Sequence, residues 1–96
     1  MTDRELLGLA ARAVNGGAWH PLTHEKPWNP LEDDGDALRL AVRLGINLEI
    51  GEPGFGDVQA GKKDHWACEW LNPDDPCASV RLAITRVAAE IGRAMG

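Results

Sequence analysis

The side chains of this chain best suited to hold a metal are His20, His24, His65, Cys68 and Cys77. Zinc takes three or four such ligands in tetrahedral geometry. His20 and His24, four residues apart, would share one face of a helix, and Cys68 would add a thiolate. Pro21 and Pro27 oppose a helix in that segment, and no C-x-x-C pair anchors the set. Surface histidines and a small buried thiol are the expected reading, with His20, His24 and Cys68 as the alternative metal ligands. For acid–base chemistry, His65 stands near Asp64 and Glu69, and Cys77, Ser79 and Thr85 offer nucleophiles. Catalysis needs a base positioned beside a nucleophile, and the spacing brings none of these together. The sequence therefore predicts no catalytic residue, no cofactor and no enzyme.

The acidic run Asp33-Asp34-Gly35-Asp36 has the flavour of a calcium loop. It lacks a carboxylate at the twelfth position, and apolar helix residues begin at once. Its carboxylates suit a helix start instead, where one accepts an unpaired amide and the others meet the positive end of the helix dipole.

The elements around these residues follow from periodicity. Thr2 and Glu5 form a capping box for a first helix with a stripe of Leu6, Leu9, Ala10 and Ala13, and Asn15-Gly16-Gly17 ends it. Residues 18–27 read as an edge strand or extended arm, limited by Pro21 and Pro27. Asn29-Pro30 turns the chain into a second helix, capped by Asp33 or Asp34, with Ala37, Leu40, Ala41 and Leu44 on one face and a stop at Gly45. Ile46, Leu48 and Ile50 alternate with Asn47 and Glu49 as a half-buried strand. The glycine-rich stretch 51–63 reads as a loop. His65–Trp70 gives a second strand, with Trp66, Cys68 and Trp70 toward the helices and His65, Ala67 and Glu69 on the other face, pairing with 46–50 as a hairpin. Asp75 caps and Pro76 opens the last helix. Its stripe is Cys77, Val80, Ile84, Val87 and Ile91, with Arg81, Arg86, Glu90 and Arg93 outward and Gly92 and Gly96 weakening its end. The expected fold is a single α+β domain over 1–96, a small two-layer sandwich. It has an antiparallel sheet of two to three strands packed against three helices.

Ninety-six residues with a formal charge of −5 argue against nucleic acid, whose binding rests on Lys and Arg. No apolar run approaches the ~20 residues that cross a bilayer, and no signal peptide opens the chain. With two cysteines only, a reduced cytoplasm is expected. The aromatic set is uneven: four Trp, one Phe, no Tyr. Trp19 and Trp28 lie in proline-flanked segments, where an indole plugs a core edge or anchors a partner. The expected contact surface is the 18–28 arm (Trp19, His20, Trp28) with the polar sheet face (Glu49, His65, Glu69). The alternative is a homodimeric domain holding a small molecule or metal in a sheet–helix pocket.

Several runs carry a family resemblance: Trp28-Asn29-Pro30-Leu31, Asp34 through Val42, Trp66-Ala67, Ser79 through Ile84, and Ala88 through Ala94, with Arg4-Glu5-Leu6-Leu7 at the start. Over most of the chain after Pro27, the sequence resembles small proteins of unknown function from tailed bacteriophages and prophages, the NinX-like set among them. The resemblance supplies no catalytic residues. It implies a phage accessory protein in the host cytoplasm that binds a host or phage protein, and interference with a bacterial defence system would fit this class.

Overall fold

The computed structural model describes residues 2–15, 28–52 and 56–95. The described elements are α1 (Asp3–Asn15), α2 (Asp34–Leu44), β1 (Asn47–Ile50), β2 (Asp57–Lys62), β3 (His65–Trp70) and α3 (Pro76–Ala94). The strands form one antiparallel sheet in the order β1-β2-β3. Helices pack on it, so the fold is α+β.

The helix boundaries have the chemistry expected of them. The Glu5 amide donates to Thr2 Oγ1 at 3.1 Å, opening α1. Asp33 caps α2 by accepting the Asp36 amide at 2.9 Å, and Gly45 ends it in the left-handed region at φ 68. Asp75 caps α3 through the Ala78 amide, with Pro76 in its first turn. Ala37, Leu40, Ala41 and Leu44 are buried on α2.

α3 is the spine. It packs against α1, α2, β2 and β3, whereas α1 and α2 rest on α3 and make few contacts with any strand. Small buried residues, among them Ala83, Ala88 and Gly92, let α3 come close to its neighbours. At Gly92 the approach is closest, because a Cβ there would overlap the Leu9 carbonyl of α1. The helix runs on past Gly92 to Ala94, so this glycine serves packing and does not end the helix.

Several expectations are corrected. The stretch 51–63 is not all loop, since β2 occupies 57–62 and lies between β1 and β3, which therefore do not pair. The faces of β3 are reversed: Trp66, Cys68 and Trp70 are exposed, while His65, Ala67 and Glu69 are half-buried toward the helices. β2 explains the reversal. Val58 and Ala60, fully buried, fix the inner face, and their partners across the ladder are Glu69 and Ala67. Paired residues share a face, so the indoles must point outward. On β1 only the flanking Ile46 is buried, because Leu48 and Ile50 lie on an edge that α3 does not reach. On α3, Cys77 is exposed in the first turn, and Arg81, expected outward, is largely enclosed.

The β2–β3 hairpin turns through two residues, Lys63 and Asp64. Lys63 sits at φ 55, a region where its Cβ crowds the backbone. Lys63→Gly relieves that crowding, and urea denaturation should show a gain of about 0.5–1 kcal/mol.

Candidate functional site

The outer face of the sheet is built from alternate residues of all three strands. Trp66 lies across from Gly61 and then Asn47, and Cys68 across from Gln59 and Glu49. Trp70 lies across from Asp57. No described helix covers this face.

Trp66 has a structural explanation. Its ring lies over Gly61, where an added Cβ would fall 2.5 Å from Cε3. The indole Nε1 donates to the Lys63 carbonyl at 3.1 Å and pins the hairpin turn. An aromatic ring laid across a strand glycine restores the packing that the glycine gives up. Trp66 nonetheless remains 61% exposed. Trp70 is 78% exposed, and the fold puts it to no comparable use.

Between them, the Cys68 thiol donates to Asp57 Oδ2 at 3.2 Å. That hydrogen bond, with some desolvation and the nearby charges of Asp57 and Glu69, raises the thiol above its ordinary range. A raised thiol is a poor nucleophile and a poor metal ligand at neutral pH, because the thiolate is the reactive form. Asp57→Asn removes the carboxylate acceptor and its charge, so the Cys68 pKa falls and its thiolate fraction rises. Iodoacetamide labelling followed by peptide mass analysis should show faster Cys68 modification in the variant, with Cys77 as internal reference.

Beneath the free side of β3, a cleft of about 600 Å³ opens between that strand and the helices. Asp3 and Leu6 of α1, Asp64 and His65 of the hairpin, and Arg86 and Glu90 of α3 contribute to its walls. Arg86 is engaged by Glu69 at 2.8 Å. Asp3 and Asp64 have no ion-pair partner among the described residues, and Glu90 reaches Arg93 only at 3.6 Å. The balance in the cleft is acidic.

The residues singled out from sequence are dispersed. Trp19, His20 and His24 lie outside the described residues. Trp28 is half-buried and packs against the core. Glu49 shares the outer face with Cys68, whereas His65 and Glu69 lie on the helix side, so these three do not form one surface. Among the described residues no three His, Cys, Asp or Glu side chains group to hold a metal ion. The acids of the 33–36 run are individually committed. Asp33 caps α2, Asp34 pairs with Arg81, and buried Asp36 accepts the Asn29 amide at 2.9 Å and Arg39 at 2.8 Å.

The surface that sequence reasoning missed is the Trp66–Trp70 face. The short alternation Val58-Gln59-Ala60, ending at Gly61, was the available signal, hidden among neighbouring glycines. No helix among the described residues is long and apolar enough to cross a membrane. The chain matches no family model, no curated protein and no solved structure.

Proposed function

We propose that this chain is a small non-enzymatic accessory protein of phage or prophage origin that acts in the bacterial cytoplasm by binding a host or phage protein. The phage origin rests on the resemblance of its helix and turn motifs. The binding role rests on one observation, the exposure of Trp70 and Trp66 on a sheet face that no described helix covers. Large apolar rings left in water are costly, and tryptophan is enriched where partners anchor. The acids around that face, Asp57 and Glu49, would steer a basic partner toward it.

Trp70 is the clean probe, because Trp66 also braces the hairpin. Immobilised protein should retain a stoichiometric partner from a bacterial lysate, and Trp70→Ala should weaken that binding by about 30-fold, the scale of a 2 kcal/mol hot spot. Retention unchanged by Trp70→Ala would move the contact off this face.

A second reading is favoured by the exposed Leu48 and Ile50 on edge strand β1. Two copies joined along β1 would bury them in a two-fold interface. Light scattering that gives a monomer mass at high concentration excludes it.

A further inference from the structure

We infer that the free edge of β3 is a strand-addition site for an extended basic segment of the partner, its side chains alternating between apolar and Lys or Arg. This rests on the binding role proposed above and names the chemistry of what is bound. Antiparallel partners alternate between residues that exchange backbone hydrogen bonds and residues that do not. The Leu71 amide donates to the Gly56 carbonyl at 3.0 Å, which sets the phase of the β2–β3 ladder. By that alternation His65, Ala67 and Glu69 direct their backbone groups toward β2, and Trp66, Cys68 and Trp70 direct theirs away. Among the described residues nothing pairs with these outward groups. Among the described residues β3 thus offers an unpaired row of donors and acceptors at Trp66, Cys68 and Trp70, the template for an added strand.

The two sides of that edge differ in chemistry, and the difference sets the sequence of the guest. A fourth strand would continue the sheet beyond β3, next to the cleft between β3 and α1. Its outward side chains would flank the indoles of Trp66 and Trp70, at cross-strand distances suited to aliphatic or aromatic partners. Its inward side chains would enter the cleft, where Asp3, Asp64 and Glu90 present carboxylates and the one arginine is held by Glu69. Alternate side chains of a strand point to opposite faces, so apolar and basic residues must alternate. On the opposite edge, β1, the exposed side chains are Leu48 and Ile50 among Asn47 and Glu49.

The test uses a panel of synthetic peptides of about ten residues, enough to span a strand with its flanks. Each alternates Val or Ile with Lys or Arg, and each is paired with a shuffled peptide of the same composition. The alternating peptides should quench or shift the tryptophan emission and should protect the amides of Trp66, Cys68 and Trp70 from hydrogen exchange. Shuffled peptides should bind at least about tenfold more weakly, and added salt should weaken the alternating ones. Cys68→Pro deletes one outward N–H without removing a ladder bond, which an edge strand tolerates. It should keep the circular dichroism spectrum and lose peptide binding, and the paired variant Asp3→Asn/Asp64→Asn should bind more weakly with the edge intact. Equal binding of shuffled peptides, no protection at the three amides, or undiminished binding by folded Cys68→Pro overturns the inference. Protection of those amides without peptide, together with a dimer mass, overturns it in favour of a second copy at this edge. A lysate partner held by Cys68→Pro but lost by Trp70→Ala sinks strand addition and leaves the binding role standing. A partner held equally by both variants and by the parent sinks the two together.

Discussion

Gly92→Ala will destabilise the protein by about 2–3 kcal/mol, although the same substitution stabilises an isolated helix by about 1 kcal/mol. Packing wins because of what stands opposite. A Cβ on Gly92 would overlap the Leu9 carbonyl oxygen and carbon, with the Ala13 amide 3.3 Å away. All three are backbone atoms of α1, so no side chain can turn aside, and α1 must move off α3 as a body. That movement loosens the contact in which Ala10 and Ala13 are buried. In a domain of this size the loss corresponds to a fall in Tm of roughly 10 °C or more. Gly8→Ala is the matching control. Gly8 is an α1 glycine whose Cβ would meet nothing within 4 Å, so only propensity acts and a gain of about 0.5–1 kcal/mol is expected. Thermal denaturation of the two variants should give opposite signs. A stabilised Gly92→Ala would mean that the two helices are not in backbone contact.

The contrast between these two glycines shows what a single sequence carries. Helix caps are local, and Thr2, Asp75, Gly45 and, as one of two candidates with Asp34, Asp33 were legible because the bonding partner lies within a few residues of each. The α2 stripe was legible because helical spacing over eleven residues has no competing reading. Long-range choices were not. Period-two alternation says which residues of β3 share a face but not which face is buried; that was set by Val58 and Ala60 across the ladder. Missing β2 inverted β3, and the inversion hid the candidate surface: Trp66 and Trp70 look like core residues until Gly61 is placed beneath one of them. Arg81 belongs to the same class. Its spacing on α3 says little, since two of its three partners lie 47 and 50 residues away in the chain.

Arg81→Met should cost about 2–3 kcal/mol, a loss set by what the guanidinium joins rather than by its charge alone. Its Nε donates to the Leu31 carbonyl at 2.8 Å, Nη1 donates to Asp34, and Nη2 lies 3.5 Å from Asp75. One side chain, only 12% exposed, thereby ties α3 to the turn before α2 and to the cap of α3 itself. Asp34 and Asp75 are more than half exposed and can turn to water, so Asp34→Asn alone should cost under about 1 kcal/mol. The larger part falls on Leu31, whose carbonyl loses its charged donor, and on the packed stem of the arginine. Arg81→Lys should recover less than half, because one ammonium cannot reach three acceptors held in a fixed fork. The hydrogen bond to Asp34, with the charges of Asp34 and Asp75, holds the guanidinium pKa above its ordinary value against some desolvation. With a raised folded-state pKa, the stabilisation is complete below the unfolded pKa and fades only above it, far into alkali. The cost of Arg81→Met should therefore be equal at about pH 6 and about pH 9. Hydrogen exchange should locate the damage, with faster exchange of the Glu32 and Asp33 amides, whose bonds to the Asn29 carbonyl close the turn into α2. Faster exchange spread evenly through the protein would mean that Arg81 supports the fold at large and is not a clamp on that turn.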